Sequence, residues 1–222
     1  MSAVELTGSE IVKPKLRGVF HEIGFFLALI SGAVLVLIAS GTRAKIACAV
    51  YGVSLAAMLG TSALYHRVTW SVSARQRMRR LDHSAIFVLI AGTYTPLALA
   101  LGAVDQARML TVAWAGATLG VARALFWVTA PKWLVAVLAV GMGWLAVLYT
   151  GPLRQVAGTA VVLWMAAGGV LYSLGALIYA VKRPNPWPRI FGYHELFHLL
   201  VLAAAATHYV AILGTLPFIA RG

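Results

Sequence analysis

Three histidines stand at spacings that suit a metal ion. His194 and His198, in GYHELFHLLVLAAAATHYVAIL, are four residues apart, so on a helix their rings leave the same face. His66, in SALYH, supplies a third imidazole from a distant segment, and Ser62 lies one turn before it. Asp82, in LDHSAIF, adds a carboxylate. Two imidazoles from one helix and a third from another, with a fourth position open to water, form the ligand pattern of a catalytic zinc site. Zinc brings the pKa of a coordinated water towards about 7. Asp82 would accept a proton from that water or orient it, and Ser62 would hold the carboxylate, the water or a substrate carbonyl. Copper, nickel or iron could bind the same nitrogen set.

Each residue also has a plainer reading. A histidine at the end of a helix is commonly an interfacial or helix–helix hydrogen-bond donor. Asp82 could pair with the neighbouring Arg79 or Arg80, and Ser62 could be a small packing residue. Convergence at one membrane depth favours the metal site over these separate readings. His21 and Glu22 lie at the same depth, where bordering the site and anchoring a helix end explain them equally well. His83 should point about 100° away from Asp82 and is read as structural. His208, ten residues beyond His198, suits an interhelical hydrogen bond. The glycines at 141, 143, 168 and 169 are read as close helix contacts.

The elements that must position these groups are membrane spans. Of the 222 residues, 61% are hydrophobic and 11% charged, against roughly a quarter charged in soluble domains. Apolar runs long enough to cross a bilayer fall at 18–40, 45–66, 82–103, 109–130, 133–151, 157–181 and 194–217. The expectation is an all-α integral membrane protein, a seven-transmembrane helix bundle, with a short arm at 1–17 and one membrane domain at 18–222. The first run exceeds the 7–15 residues of a signal-peptide core and is read as a retained span. Arg67–Leu81 is expected to be a hydrophilic connection, and KRPNPWPRIFGY a second one that its prolines keep from being helical.

Basic residues in short loops mark the cytoplasmic side. The N-terminal tail and the even-numbered connections carry Lys13, Lys15, Arg17, Arg67, Arg75, Arg77, Arg79, Arg80, Lys132, Lys182, Arg183 and Arg189. The opposite side holds only Arg43, Lys45, Arg108, Arg154 and Arg221, and Arg123 lies about two turns inside span four. The N-terminus is therefore expected inside and the C-terminus outside a plasma or inner membrane. His66, Asp82, His194 and His198 all fall at the cytoplasmic face. The net charge of +12 then reflects membrane topology, and nucleic acid is not an expected partner. Cys48 is the only cysteine, which excludes an internal disulfide and a multi-cysteine metal site.

HELFH matches the HExxH pattern of zinc proteases, with Glu195 as general base. Intramembrane proteases of that kind resemble a pattern with a third acidic ligand on a later span, and none follows here. A longer resemblance covers nearly the whole chain. SALYH at 62–66, LDHSAIFVLIAGTYTPLAL at 81–99 and RPNPWPRIFGYHELFHLLVLAAAATHY at 183–209 resemble the hemolysin III family, bacterial relatives of the progestin and adipoQ receptors. VFHEIG, at the start of span one, is similar as well. The resemblance implies seven helices with the N-terminus inside. It also implies zinc on His66, His194 and His198, with Asp82 and Ser62 beside the metal-bound water. Its wider superfamily includes alkaline ceramidases, which hydrolyse a lipid amide with a similar residue set.

The expected function is zinc-dependent hydrolysis of a membrane-lipid amide or ester in membrane-lipid homeostasis. Asp82 would be the general acid and base, and Ser62 the positioning residue. The alternative is a non-catalytic receptor-like sensor or a pore-forming cytolysin in which zinc is structural.

Overall fold

A computed structural model of the chain describes residues 14–127 and 129–219, with the backbone alone at Lys132. Most of the expected arm, Lys13, Arg221 and the side chain of Lys132 lie outside the described residues.

Eight α-helices account for nearly everything described. They are α1 (Val19–Ile38), α2 (Thr42–Arg67), α3 (Val72–Leu99), α4 (Ala103–Phe126), α5 (Lys132–Trp144), α6 (Thr150–Ala157), α7 (Thr159–Val181) and α8 (Tyr193–Ile219). A 3-10 segment, Leu145–Tyr149, joins α5 to α6. Helices close all their backbone hydrogen bonds within one segment, as a lipid environment demands. Their outward faces match that environment: Phe26, Leu27 and Ile30 on α1 and Leu119 and Phe126 on α4 are all exposed. Such a surface would be an aggregation liability in water.

Six stretches are long and apolar enough to cross a membrane: α1, α2, α4, Trp133–Ala157, α7 and α8. The expected seventh, α3, is not among them. Its N-terminal part carries Arg75, Arg77, Arg79, Arg80, Asp82 and His83, and Gly92–Pro96 dilutes the remainder. Most of that remainder is nevertheless buried, from Ser84 through Ala98. The helix also begins ten residues before the expected 82. Ser71 caps its start by accepting from the Ala74 N–H at 3.4 Å, so the connection from α2 shrinks to residues 68–71. The proline-rich connection from 182 to 192 stays non-helical, as its prolines require.

Consecutive helices α1 to α4 pack side by side, and α7 packs along α8. α8 in turn lies against α1, α2 and α3, while α5 bridges α3, α4 and α7. α1 meets α2 at Gly32 and Gly52, where a Cβ on Gly52 would stand 3.0 Å from the Gly32 Cα. The expected contact glycines divide into two pairs. Gly168 gives way to His208 and Gly169 to Trp144, but Gly141 and Gly143 face open space. Those two sit instead beside the 3-10 break in the fifth span.

Candidate metal centre

Three helix ends and an interior turn of α3 meet at one point in the bundle. The last turns of α2 carry Ser62 and His66, and the first turns of α8 carry His194 and His198. α3 brings Asp82 and α1 brings His21. The start of α8 is fixed by several contacts around it. Glu195 accepts from the Gly192 N–H at 2.8 Å, the reach-back of a capping box. The Asn185 side chain accepts from the Tyr193 N–H at 2.9 Å. Lys15 and Leu16 donate their backbone N–H groups to the carbonyls of Arg189 and Ile190 at 3.1 and 3.2 Å. The segment before α1 is thereby strapped across the entry to α8. At Gly18 the chain turns with φ 82°, and a Cβ there would lie 2.9 Å from the His66 Cβ. Both the left-handed backbone and the close approach call for glycine.

The three predicted ligands converge. One nitrogen from each of His66, His194 and His198 lies within 4.8 Å of the others, and the group could hold a metal ion. His194 Nε2 and His66 Nε2 are 3.2 Å apart. A tetrahedral ion with metal–nitrogen bonds of about 2.0–2.1 Å separates its nitrogen ligands by about 3.3 Å. The His66–His194 separation therefore matches such an ion, with a His198 nitrogen within 4.8 Å of both. His194 and His198 are buried, and His198 Nδ1 is an enclosed nitrogen with no hydrogen-bond partner among the described residues. Imidazole nitrogens left this way fit a borderline-soft divalent cation.

Ser62 and Asp82 join the cluster. Ser62 is buried and interacts with the Asp82 carboxylate. Among the described residues Asp82 forms no ion pair with Arg79 or Arg80, so the plain charge-pair reading of Asp82 falls away. His21 is also in the site. Its Nδ1 stands 2.8 Å from Ser62 Oγ, and its ring stacks on His198 with centroids 3.8 Å apart and planes 8° from parallel. Sequence left His21 between two readings; the signal for it was a histidine at the start of span one at the depth of His66.

Glu195 is not where a general base would stand. Its side chain is fully buried and forms an ion pair with Arg17. Together with its capping bond this commits both carboxylate oxygens away from the histidines. His208, as expected, bonds across helices, its Nε2 lying 3.2 Å from the Met165 carbonyl. His83 and His208 both line a cavity of about 390 Å³ that starts at the histidine cluster. The cavity follows Ile86 and Ile90 of α3, Val135 and Ala139 of α5, and Met165 and Ala166 of α7. Its walls are mostly apolar beyond the cluster, with Thr93, Thr150, Ser173 and His208 also among the lining.

A sequence profile of proteins described as haemolysin-III related matches residues 9–209. The chain belongs to that family. Among haemolysin-III related proteins, Hemolysin-3 of Bacillus cereus is 32% identical over 92% of this chain and 93% of its own. The Hemolysin-3 homolog of Bacillus subtilis is 29% identical over 89% of this chain and 91% of its own. A shorter segment, 22% of this chain, is 46% identical to part of the adiponectin receptor protein of Drosophila melanogaster. The haemolysin-III related match covers every residue named at the metal centre, from His21 to His198.

Proposed function

We propose that the chain is a zinc-dependent hydrolase of a membrane-lipid amide or ester. The observation that carries this reading is the juxtaposition of three imidazoles, a carboxylate and a serine at one end of an apolar cavity. His66, His194 and His198 would hold the ion. A zinc ion bound there supplies Lewis acidity towards a carbonyl and activates water at neutral pH. The apolar cavity takes the hydrocarbon part of the substrate and excludes bulk water, bringing the scissile carbonyl to the cluster. Water adds to the carbonyl carbon, and the bond from that carbon to the leaving nitrogen or oxygen breaks. Asp82 takes the proton from the attacking water and returns it to the departing atom. Ser62 donates its hydroxyl towards the carbonyl oxygen or the water, and His21 Nδ1 fixes that hydroxyl in place.

A seven-span bundle, with the largely buried α3 as one of the spans, agrees with the alternation of strongly and weakly basic connections. That arrangement puts the N-terminus and the metal centre on the cytoplasmic side and residues 18–222 in one membrane domain. A cytolytic pore, which the names of the Bacillus relatives suggest, would need a continuous polar file through the bundle, and the cavity walls beyond the cluster are predominantly apolar, with Thr93, Thr150, Ser173 and His208 as polar exceptions. The test is lipid turnover by purified Asp82→Ala and Ser62→Ala proteins with metal content measured in parallel. Asp82→Ala should keep its metal and lose at least about a hundredfold in rate, the lower bound for a general acid–base group. Full turnover by metal-loaded Asp82→Ala would sink the mechanism.

A further inference from the structure

Six buried side-chain polar atoms have no hydrogen-bond partner among the described residues. Two of them, His21 Nε2 and His198 Nδ1, belong to the histidine cluster. The other four are Arg80 Nε, Ser84 Oγ, Arg123 Nε and Arg123 Nη2, and they belong to α3 and α4, two helices that pack on each other. Arg80, Ser84 and Phe87 follow one another at helical spacing on a single stripe of α3. Gly120 of α4 makes room for Phe87, since a Cβ there would lie 2.3 Å from the ring. Arg123, three residues further along α4, sets its guanidinium over the same ring, 5.8 Å from the centroid. Asp82 lies between Arg80 and Ser84 in sequence and so points to the opposite side of α3, towards the cavity. The Arg80–Ser84–Phe87 stripe thus faces away from Asp82, while Arg79, beside it on α3, lines the cavity.

No carboxylate serves these arginines. The chain has six acidic residues: Glu5, Glu10, Glu22, Asp82, Asp105 and Glu195. Glu22 pairs with Arg67 and Glu195 with Arg17. Asp82 faces the cavity, Asp105 is in the first turn of α4 at the far end of the bundle, and Glu5 and Glu10 lie outside the described residues. Arg79 adds a further positive charge near Arg123. Guanidinium groups only donate, and a buried donor left unmade is costly. Among the described residues no acceptor meets these donors, and an anion from outside the chain would supply one.

We propose that Arg80, Ser84 and Arg123 form a binding site for a phosphate-bearing anion, as an anionic phospholipid headgroup would present it at this end of the bundle. The planar guanidinium fork matches the spacing of phosphate oxygens, and the Ser84 hydroxyl supplies a further donor. Basic pockets between membrane helices hold phospholipid headgroups in this way. The site stands whether or not the metal centre hydrolyses lipid.

The test uses the full chain, purified in nanodiscs of equal phosphatidylglycerol and phosphatidylcholine, with retained lipid counted by native mass spectrometry. Wild type should retain phosphatidylglycerol in preference. Arg123→Gln should lower that preference roughly tenfold, the effect of losing one charge-assisted hydrogen bond. Arg77→Gln, the same charge change at an exposed site on α3, should leave it unaltered. Arg123→Lys keeps the charge without the fork and should also bind several-fold less, which covers a glutamine variant that fails to fold. Inorganic phosphate distinguishes the sources. If it raises the melting temperature of delipidated protein and strips the bound phosphatidylglycerol, the site takes a soluble phosphate; if it does neither, a lipid headgroup fills it. The proposal is overturned if wild type shows neither a lipid preference nor phosphate stabilisation. It is equally overturned if Arg77→Gln matches Arg123→Gln, or if Arg123→Lys matches wild type.

Discussion

Glu195 occupies the acid position of an HExxH pattern, yet its two oxygens serve the fold. One caps the start of α8 and the other pairs with Arg17 from the strap before α1. Removing one partner of a buried ion pair leaves a charge without compensation. Arg17→Ala should therefore destabilise the protein by about 3 kcal/mol, the lower end for such pairs because Arg17 is partly exposed. Thermal unfolding in detergent reads this directly, and an unchanged melting temperature would contradict the strap. Residue chemistry was legible in sequence wherever helical spacing enforced it. The i, i+4 pairs Ser62/His66 and His194/His198 had to share faces once their segments were helical. His21 was not legible in the same way, because a lone histidine carries no partner spacing. Its stacking on His198 and its bond to Ser62 arise only when α1 packs beside α2 and α8.

Among the elements, the fifth span behaves least like a plain helix. α5 ends at Trp144, a 3-10 segment follows, and α6 resumes at Thr150. The Tyr94 hydroxyl of α3 holds this break together. It accepts from the Ala146 N–H at 3.0 Å and donates to the Met142 carbonyl at 2.9 Å. Tyr94→Phe removes the acceptor of the Ala146 N–H, while the Met142 carbonyl keeps the Leu145 N–H, and should cost about 1 kcal/mol. A Tyr94→Phe protein that melts with wild type would show that the break needs no clasp. Sequence placed most of the apolar runs within a few residues of the observed helices, because length and hydropathy are sufficient for that, but the third started ten residues late and the fourth six. The break was hidden, since 133–151 is uniformly apolar and the tyrosine that stabilises it is some fifty residues earlier. The early start of α3 was hidden for the opposite reason. Arg75 to Arg80 are polar enough to read as a loop, although nothing there forbids a helix and Ser71 caps one.

At the scale of the whole molecule, a ring of helices closes by packing α8 against α1, and so brings the two ends of the sequence motif set to one point. The haemolysin-III related family and the membrane-embedded helical architecture are established by the match over residues 9–209 and by six apolar helices. If α3 is the seventh span, the termini lie on opposite sides of the membrane. Reporter fusions at each end should then give cytoplasmic activity at the N-terminus and external activity at the C-terminus. Both termini on one side would require an even number of spans. Within that frame the basic residues of 75–80, the strap at 15–18 and the metal centre share one face, and the apolar cavity leads away from it.

The central claim, that His66, His194 and His198 hold a metal ion, is tested most directly by elemental mass spectrometry on purified protein, wild type beside a His194→Ala, His198→Ala variant. The account predicts about one zinc per chain in wild type, as a single three-imidazole site requires, and its loss in the folded variant. A folded wild type that takes up no metal when zinc is supplied would contradict it.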